Sequence, residues 1–558
     1  MIDLEGQQAD VCIVGSGAGG GSVAMQLAEA GARVVVLEKG PWLGPKDFPQ
    51  DEILSARRDL WAPFESEEPH VWQEGDGGAA HSSRLGWIAS CVGGGTVHMG
   101  GFFFRLHPGD FAMAKRYPKL KGAELADWPI DYAALAPYYD RVERAIGVSG
   151  KASEHPHAPP RSGDYPLPPL RENPLSALVD RGAAKVGAHA FSTPRAILSR
   201  AYNGRAPCAY HNFCGGYGCE IGAKSSVLDA LIPQAVKTGR CEVRAGCMAF
   251  EVTTDKTGRA TGVSYYDDKG AAKTQRARLV VVSATAIESA RLLLNSTSAR
   301  FPRGLGNGAG LVGKHLTFST LAKGYGEFAV DALPQELRGR HPVHFLQRTV
   351  QDDYYLGGDA AGDDGYDKGG TANFLLPHRN PIHAAERLSS RSVPALWGAE
   401  LQRALSRYHR DVREIEVEVF AEFLPTAGTR VEIDPQVKDR WGIPSARIHH
   451  QHHARDLTQA KHVLDRALSL LKAAGAQRAQ AESSPSTTHV LQHGTCRFGK
   501  DPASSVLDPD CRSHEVDNLY VVDGSFMPSS GAVPTTLTIM ANAFRVAESI
   551  GAHLKAVP

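Results

Sequence analysis

Apolar and polar residues alternate in different ways along the chain, and each pattern predicts its own kind of structure. Near the N-terminus an apolar run, Ala9–Val14, precedes a run of small residues and a second apolar run, Val34–Leu37, which predicts a strand, a helix and a parallel strand. A buried strand is predicted over residues 278–283 with a helix after it, and this pair is expected to extend the same parallel sheet. Residues 519–522 and 537–553 return to this strand and helix pattern.

Strict alternation replaces these runs between about residues 321 and 480. Residues 414–423 alternate apolar and charged positions and a turn leads to residues 430–433, which predicts a hairpin in an antiparallel sheet with one wet face. A long helix is predicted over residues 455–474. On this interpretation three carboxylates belong to the wet face and do not pair for catalysis: Glu416, Glu418 and Glu422.

The histidine-rich stretch 447–453 does not predict a metal site. Adjacent histidines on a strand point to opposite faces, so at most alternate ones converge. The favoured interpretation is a solvated loop at the edge of the sheet.

Composition narrows the classes of protein that these patterns allow. The chain has 558 residues with 61 basic and 61 acidic side chains, so it carries no electrostatic footprint for nucleic acid or an anionic membrane surface. No run of 18 or more apolar residues predicts a membrane span, and the N-terminal residues lack the basic and apolar regions of a signal peptide. A neutral or weakly charged small-molecule substrate is expected, without direct membrane insertion.

The first strand, helix and strand carry a dinucleotide fingerprint. Gly15 permits the tight turn after the strand, Gly17 lets the backbone approach a pyrophosphate, and Gly20 lets the helix lie close to the strand. The diphosphate is expected at the start of the helix, beside Ala18. Glu38 ends the second strand and is expected to bind a ribose diol, which disfavours a 2′-phosphate. Because strand, helix and acid accompany the glycines, dinucleotide binding is favoured over an incidental glycine-rich turn.

A second glycine-rich stretch, residues 90–105, is flanked by aromatic side chains. Its three adjacent glycines are unfavourable in a helix or a strand. We expect the backbone there to approach another group closely.

These motifs together resemble the glucose-methanol-choline (GMC) family of FAD oxidoreductases over essentially the whole chain. The resemblance implies an α/β FAD-binding domain of Rossmann-like, GMC type and an α+β substrate domain on a large antiparallel sheet. It implies a discontinuous FAD-binding domain over residues 1–320 and 485–558, and a substrate-binding domain over residues 321–484. Besides the fingerprint, the matching segments are residues 92–96, 286–294, 494–499, 523–525 and 537–539.

The resemblance also implies roles for single residues outside the fingerprint. Contacts with the cofactor are implied for Gly94, Thr96, His98, Asp523 and Thr535. His98 lies where several relatives attach the flavin covalently, and a noncovalent contact is the favoured interpretation here.

Oxidation of an alcohol requires a base that removes the hydroxyl proton while hydride passes to flavin N5. The family places this base three residues before the Gly-Thr pair, where this chain has Leu491. His489 and His493 flank that position, and in an extended segment all three side chains share one face. One histidine is expected to be catalytic, with His493 favoured, and the other structural.

The family's second catalytic position, usually Asn or His, is Pro534 in this chain. Thr535 or the second histidine is expected to supply the missing hydrogen bond, or else the enzyme acts with a single base. The helix that begins near Thr535 is expected to direct its positive end toward the N1/O2 edge of the flavin.

Three of the nine cysteines crowd into one short stretch: Cys208, Cys214 and Cys219. The stretch, near residues 205–222, resembles the cysteine-rich insert of the large catalytic subunits of gluconate, glucose, fructose and glucoside dehydrogenases. Some of these hold a 3Fe-4S cluster on three thiolates, although the spacing of the second and third cysteines differs here by one residue. Two alternatives stay open, namely a zinc site that adds His211 and three plain buried thiols.

The favoured function is an FAD-dependent dehydrogenase that oxidises a sugar, glycoside or polyol and passes electrons to an acceptor other than oxygen. The alternatives are an FAD oxidase that makes hydrogen peroxide and a noncatalytic flavin-binding protein, the latter because Pro534 has no side-chain donor. The resemblance also implies a small chaperone or export subunit and a cytochrome c acceptor. A periplasmic location through that subunit is expected, with the cytoplasm as the alternative.

Overall fold

In a computed structural model of the protein, the described residues are 2–152, 155, 157–211, 213–341, 343–357, 361–377 and 380–556, without the side chains of 55–57. The strands are β1 (Ala9–Val14), β2 (Val34–Leu37), β3 (His70–Glu74), β4 (His81–Ser83), β5 (Ala190–Ser192), β6 (Cys241–Arg244), β7 (Met248–Thr254), β8 (Ala260–Tyr266), β9 (Ala272–Val282), β10 (Thr317–Ala329), β11 (Arg348–Val350), β12 (Gly370–Leu375), β13 (Val412–Ala421), β14 (Arg430–Lys438), β15 (Pro444–His450), β16 (Arg478–Ala481), β17 (Ser486–His493) and β18 (Leu519–Val521).

The helices, in chain order, are α1 (Ala18–Glu29), α2 (Glu52–Arg57), α3 (Met113–Arg116), α4 (Tyr132–Ile146), α5 (Ser176–Val186), α6 (Val227–Ala230), α7 (Ile232–Lys237), α8 (Ala286–Asn295), α9 (Gln335–Arg338), α10 (Pro381–Ser390), α11 (Gly398–Asp411), α12 (Ala454–Ala474) and α13 (Thr536–Ala556). Among these described helices, none is both long and apolar enough to cross a membrane.

A seven-stranded sheet contains the N-terminal fingerprint and confirms the predicted parallel sheet. Its order is β6-β2-β1-β9-β8-β7, with β18 paired to β9. On β1, Cys12 lies opposite Val35 of β2 on one side and Val280 of β9 on the other, both in parallel register. The long β9 also pairs antiparallel with β8 through its first half. Helix α13 packs against α1 and α4, so the C-terminal helix closes over the fingerprint.

A second seven-stranded sheet confirms the expected antiparallel sheet. Its order is β16-β10-β13-β12-β11-β5, with β17 paired to β10. Helix α12, which was predicted over residues 455–474, packs against β10, β12, β13 and β16. Its Val463, Leu464 and Leu471 belong to the apolar core of this layer. The opposite side of the sheet borders a large cavity.

A four-stranded sheet, β14-β15-β3-β4, joins segments that are far apart in the sequence. The predicted hairpin between residues 414–423 and 430–433 is therefore wrong, because β14 pairs with β15 and not with β13. Alternation predicts a strand, whereas the choice of partner depends on non-local burial. Strand β5 joins the second sheet although it precedes residue 320. The division into domains at residues 320 and 484 stays a prediction.

The predicted wet face of β13 is also wrong. Glu416 and Glu418 line the cavity, and Glu422 is buried just beyond the strand. One carboxylate oxygen of Glu422, Oε1, accepts the N–H of Ser530 at 2.7 Å and the N–H of Gly531 at 3.1 Å. These three carboxylates therefore face a cavity or a loop, because the rest of the chain covers the sheet on both sides.

The first half of the histidine-rich stretch, residues 447–450, is a strand end that is mostly buried, so the predicted solvated loop is wrong there, whereas residues 451–453 do form a loop. His449 and His450 lie at the end of β15, between β14 and β3. His450 Nδ1 is 2.8 Å from Glu74 Oε2, and its Nε2 is 2.8 Å from the hydroxyl of Thr487. The parallel pairing with β3, which adjacent residues do not reveal, removes this half of the stretch from solvent.

Candidate active site

Two glycine-rich loops pack against each other at the end of β1. Gly15 adopts φ +90°, and a Cβ on it would lie 2.2 Å from the carbonyl oxygen of Ser283, so only glycine fits. A Cβ on Gly20 would lie 2.0 Å from the carbonyl oxygen of Gly15, which explains how closely α1 approaches the strand. A Cβ on Gly94 would lie 3.0 Å from the Cα of Gly17. The close backbone approach predicted for the second glycine stretch is confirmed.

Ser16 connects both loops to Glu38. The Ser16 hydroxyl donates to Glu38 Oε2 at 2.7 Å and accepts the N–H of Gly93 at 3.0 Å. Glu38 Oε1 accepts the N–H of Gly40 at 2.9 Å. Burial raises the pKa of Glu38, and these hydrogen bonds oppose that shift. The carboxylate is thereby fixed at the cavity wall, and its contact with a ribose stays a prediction.

A cavity of about 960 Å³ extends from these loops to the antiparallel sheet. This volume lies at the upper end of the range for cofactor sites. A Cβ on Gly17 would meet nothing closer than 3.9 Å, so a bound group has access to the backbone there, as a dinucleotide requires. Most of the predicted cofactor contacts line it: Gly15, Gly17, Ala18, Glu38, Gly94, Thr96, His98, Asp523 and Thr535.

Asp523 and Thr96 fix the loops around the cavity. Asp523 Oδ2 accepts the hydroxyl of Ser289 at 2.5 Å, and its Oδ1 accepts the N–H of Ser525 at 2.8 Å. The hydroxyl of Thr96 donates to the carbonyl of Gly93 at 2.6 Å. Burial raises the pKa of Asp523. These bonds hold the loops in shape before any ligand binds.

A row of polar side chains crosses the antiparallel sheet next to the cavity. Lys323 Nζ pairs with Glu418 Oε1 at 3.1 Å, and Asn373 lies opposite Glu418 on β12. The hydroxyl of Thr349 donates to Asn373 Oδ1 at 2.9 Å and lies 2.8 Å from the hydroxyl of Thr193. The row of polar side chains therefore extends from Lys323 on β10 to Thr193, which directly follows β5.

Arg195 is a buried cation at the same end of the cavity. Its guanidinium donates to the carbonyl of Gly100 at 2.5 Å and to Gln347 Oε1 at 3.0 Å. It also lies 4.1 Å from the centre of the Phe102 ring. Burial lowers the pKa of Arg195 to about 10. The sequence analysis missed this residue because its position depends on the meeting of three distant segments.

The strand that carries the two candidate histidines is bulged. His493 pairs with Thr317 whereas Thr488 pairs with Ser319, so residues 488–493 of β17 lie opposite only residues 317–319 of β10. The expectation that His489, Leu491 and His493 share one face is therefore wrong. Leu491 lines the cavity with its neighbour Gln492, and the two histidines lie behind this wall.

His493 is fully buried behind Thr535. Its Nε2 is 2.7 Å from the hydroxyl oxygen of Thr535, which lines the cavity. Burial lowers the pKa of His493 to about 3, and a main-chain group of Phe318 opposes this shift. The ring is therefore neutral at physiological pH and is linked to the cavity through one hydroxyl group.

His489 lies in an aromatic cluster instead. Its ring meets Trp72 edge-on at 4.9 Å, Phe318 at 5.8 Å and His450 at 6.1 Å between centroids. Burial lowers the pKa of His489 to about 4. These contacts are those of a packing residue, and they favour His493 for the chemistry.

Helix α13 begins at the cavity. Pro534, Thr535 and Thr536 line the wall, and the first helical hydrogen bond runs from the N–H of Ile539 to the carbonyl of Thr535 at 3.0 Å. The unpaired N–H groups of the first turn carry a partial positive charge. The start of α13 therefore presents this charge to the cavity, and its direction toward the N1/O2 edge of a flavin stays a prediction.

His98 lies at the cavity wall against Trp61. The two ring centroids are 5.0 Å apart, and His98 Nε2 is 3.3 Å from the carbonyl oxygen of Ile88. Burial, together with the nearby cations Arg58 and Lys224, lowers the pKa of His98 to about 3. A neutral imidazole here suits a noncovalent contact, while covalent attachment stays untested.

The clustered cysteines occupy a loop beside the cavity, and the thiol-bearing residue Cys214 lines it. The zinc alternative does not fit. His211 Nε2 pairs with Glu220 Oε1 at 2.8 Å, and in the described part of the chain no three of the four predicted ligand atoms lie within 4.8 Å of one another. A cluster of several irons spaces its thiolates more widely than a single ion does, so the iron–sulfur assignment stays a prediction.

Possible ligand atoms of His155, His189 and Asp352 do lie within 4.8 Å of one another. His155 Nδ1, however, accepts the N–H of His157 at 3.1 Å, so the ring proton is on Nε2, which faces Asp352 Oδ2 at 3.3 Å. A histidine ligand needs the opposite arrangement. The group is therefore a hydrogen-bonded network.

The glycine loops, the cavity and the neutral histidine behind its wall are the parts that a dinucleotide-dependent oxidoreductase requires. Sequence comparison agrees. Two models described as GMC oxidoreductase match residues 166–318 and 425–543, and a model of an NAD(P)-binding Rossmann-like domain matches residues 13–46.

Relatives extend over nearly the whole chain. The 6'''-hydroxyparomomycin C oxidase of Streptomyces lividus is 32% identical over 98% of this chain and 92% of its own. The fructose dehydrogenase large subunit of Gluconobacter japonicus is 27% identical over 98% of both. The crystal structure of pyridoxine 4-oxidase from Mesorbium loti superposes with a TM-score of 0.61 at 19% identity, covering 97% of this chain and 99% of that one, and supports the fold alone. The chain belongs to the GMC oxidoreductase family and is an FAD-dependent enzyme, which removes the noncatalytic alternative.

Proposed function

We propose that the protein is an FAD-dependent dehydrogenase that oxidises a hydroxyl group of a sugar, glycoside or polyol to a carbonyl and passes the electrons to an acceptor other than oxygen. One observation carries the proposal. A single continuous cavity borders the dinucleotide loops, the polar antiparallel sheet and the cysteine loop. The sites proposed for the cofactor, the substrate and the exit of electrons therefore lie next to one another along this cavity.

The floor of the cavity supports a hydroxyl-rich substrate. Glu418, Lys323 and Arg195 offer charged acceptors and donors beside the apolar rings of Phe102 and Phe420. Hydrogen-bonding side chains next to aromatic surface suit a polyol, whose faces alternate between hydroxyl and C–H groups. The relative that is named for fructose supports the same class.

His493 is the proposed base, acting through Thr535. Bound FAD would supply the hydride-accepting chemistry. The substrate hydroxyl gives its proton to the hydroxyl oxygen of Thr535 while the proton of Thr535 passes to His493 Nε2, 2.7 Å away. The ring is neutral, so Nε2 has a lone pair for this proton, but the burial that lowers its pKa to about 3 makes it a weak base. Thr535 thereby takes the place of a direct contact between base and substrate.

The cysteine loop is the proposed exit for electrons, on a 3Fe-4S cluster held by Cys208, Cys214 and Cys219. The three thiols are close enough to influence one another: burial raises the pKa of Cys208 to about 12, and both other thiols add to that shift. Cys214 shares the cavity with His98. A centre there would pass electrons singly to a cytochrome c partner.

We also propose that a separate small subunit exports this chain to the periplasm. The name of one relative, a large subunit, supports a partner chain. Co-expression with a small neighbouring reading frame should raise the export of this chain, and export without any partner would contradict this part of the proposal.

An anaerobic visible spectrum, recorded before and after the addition of single polyols, tests the central proposal. We expect the flavin bands to bleach with one class of polyol, and the bleached enzyme to reoxidise with ferricyanide or cytochrome c at least about tenfold faster than with air. Iron should be measured on the same sample.

Fast reoxidation by air with formation of hydrogen peroxide would instead establish the oxidase alternative, which the Streptomyces relative's name supports. Bleaching without iron would retain the dehydrogenase and remove the cluster. A flavin that no polyol bleaches would overturn the proposed substrate class.

A further inference from the structure

Lys224 is a fully buried cation between the cysteine loop and the cavity wall. Its side chain is only 2% exposed. The ammonium group donates to three main-chain carbonyls, those of Tyr217 at 2.7 Å, Cys214 at 2.9 Å and Val97 at 3.4 Å. Three acceptors match the three N–H bonds of an ammonium group. All three N–H groups of the buried ammonium are therefore hydrogen-bonded.

These carbonyls belong to two different segments. Tyr217 and Cys214 lie on the cysteine loop, whereas Val97 directly precedes His98 at the cavity wall. Two further hydrogen bonds lie where these segments meet. The N–H of Gly216 donates to the carbonyl of His98 at 2.9 Å, and Trp61 Nε1 donates to the carbonyl of Gly216 at 3.0 Å. Lys224 is thus one of the groups that fasten the cysteine loop to the wall of the flavin site.

Lys224 has no direct ion pair. Among the described residues no carboxylate lies within ion-pair distance of its Nζ, and the nearby acid, Asp229, interacts with the charges of both Lys224 and Arg205 and accepts the hydroxyl of Ser226 at 2.6 Å. Arg205, which also faces the loop, bonds to the hydroxyl of Ser225 at 3.2 Å and to the carbonyl of Ile146. Burial of such cations is unfavourable unless negative charge compensates it.

Burial raises the pKa of the Cys208 and Cys219 thiols, so a negative charge on the loop requires a bound metal centre, whose sulfur ligands are thiolates. The main chain of Ile221, Ala223 and Lys224 and the charge of Lys224 oppose this rise at Cys219. Cys208 Sγ accepts the N–H of Tyr210 at 3.3 Å. Donors and cations therefore surround the loop from several sides.

We propose that Lys224 is the positioning residue of the cysteine loop: it clamps the loop to the segment at residues 97–98 and supplies the positive charge that a negatively charged sulfur centre on the loop requires. Only the identity of that centre rests on the proposed function. The clamp is a property of the protein without substrate.

The first test uses the unmodified protein. Acetylation with an amine-reactive reagent, followed by mass spectrometry, should label Lys224 at least about 100-fold more slowly than the exposed Lys237, because the ammonium must leave three carbonyls to react. Comparable labelling of both lysines would overturn the clamp. This measurement does not depend on any variant folding.

The second test compares K224M and K224R with the exposed control K237M. In K224M we expect hydrogen exchange of residues 208–222 to accelerate at least about tenfold, while exchange in β1 and α1 stays unchanged. Unchanged hydrogen exchange of residues 208–222 in K224M would contradict the proposed clamp. Neither readout involves turnover, so failure here is separate from failure of the proposed reaction.

Anaerobic reconstitution of the protein with iron and sulfide tests the role of the positive charge of Lys224 separately. Wild type, K237M and K224R should bind iron to similar levels, whereas K224M should bind less than about one third as much. Equal iron in K224M and wild type, or no iron in wild type, would overturn the role of the charge.

Discussion

At the scale of single residues, the site shows how burial turns an ordinary side chain into a specialised one. His493 has no contact with solvent, so its imidazole stays neutral far below its usual pKa. Its link to the cavity is one hydroxyl, that of Thr535. The neighbouring His489 is surrounded by rings and has no such link. Two histidines four residues apart therefore have different surroundings, and different functions are predicted for them.

Replacement of His493 should separate these functions. H493Q is expected to lower kcat by about 10²- to 10⁴-fold, the usual contribution of a general base, with FAD retained. H489Q should lower the thermal midpoint and leave kcat within about threefold of wild type. Steady-state rates, with the flavin spectrum as the check on cofactor content, measure both. Loss of turnover in H489Q but not in H493Q would reverse the assignment.

The two glycine loops lead to a second prediction at this scale. Gly17 has φ −71°, which any residue adopts, and the space beyond its Cα is open. G17V should therefore fold normally but weaken FAD binding by about 100-fold or more, roughly 2.8 kcal/mol. The comparison is G339V, at φ −63° in an exposed position where an added Cβ meets nothing within 4 Å, and it should keep FAD. Circular dichroism and flavin content distinguish the two outcomes.

At the scale of elements, helix α10 closes the cavity with one charged face. His383, Glu386, Arg387 and Ser390 line the cavity at helical spacing. Arg387 binds Glu416 at 2.8 Å, bonds to Glu414, and donates to the hydroxyl of Tyr408 at 2.7 Å. A single guanidinium thus fastens α10 and α11 to β13.

Removal of that guanidinium should be costly and dependent on pH. R387M leaves Glu416 without its arginine, whereas Glu414 keeps Arg391 at 3.0 Å, so the cost should be about 1.5–3 kcal/mol, that of a hydrogen bond to a charged group. The pKa of Glu416 is already raised to about 7 by burial and by Glu414, against the opposing effect of Arg387. Without Arg387 that pKa rises further, so the loss of stability should be larger at pH 8.5 than at pH 6.

Thermal midpoints at the two pH values measure this difference. R410M removes an exposed arginine of α11 that, in the described part of the chain, forms an ion pair only with its neighbour Asp411, and it should stay within about 0.5 kcal/mol of wild type. A loss in R387M that does not change with pH would contradict the assignment of charge to Glu416.

At the scale of the whole molecule, several buried histidines respond to acid together. Burial lowers the pKa of His98 and His493 to about 3, and of His107 and His489 to about 4. The unfolded chain binds these protons near pH 6.5, which the folded chain does not. Between about pH 6.5 and pH 4 the unfolded state therefore holds more protons, and stability falls as the pH falls.

The thermal midpoint should accordingly decrease from pH 7 to pH 5. Each such histidine contributes about 1.4 kcal/mol per pH unit once it is charged in the unfolded chain. H489F should flatten the decrease, whereas H81Q, at an exposed position of β4, should leave the slope unchanged. A midpoint that rises on acidification would show that other groups dominate.

Much of the architecture was predictable because its signals are local. Apolar runs gave β1, β2, β9 and β18, and the steric demands of glycine fixed both loops at the cofactor site. The wrong predictions concern which strands pair with each other and in which register. The bulge of β17 against β10 moved Leu491 and Gln492 to the cavity wall, and the pairing of β14 with β15 replaced the predicted hairpin. Pairing of this kind depends on contacts between residues far apart in the chain.

The sequence by itself determined the family, the dinucleotide loop and the order of strands and helices, since periodicity and backbone sterics act over a few residues. Only the tertiary structure decided which histidine is linked to the cavity through Thr535, which carboxylates are buried, and that Lys224 joins the cysteine loop to the cavity wall. Burial, and with it every shifted pKa, is a property of the assembled layers, and no segment possesses it alone.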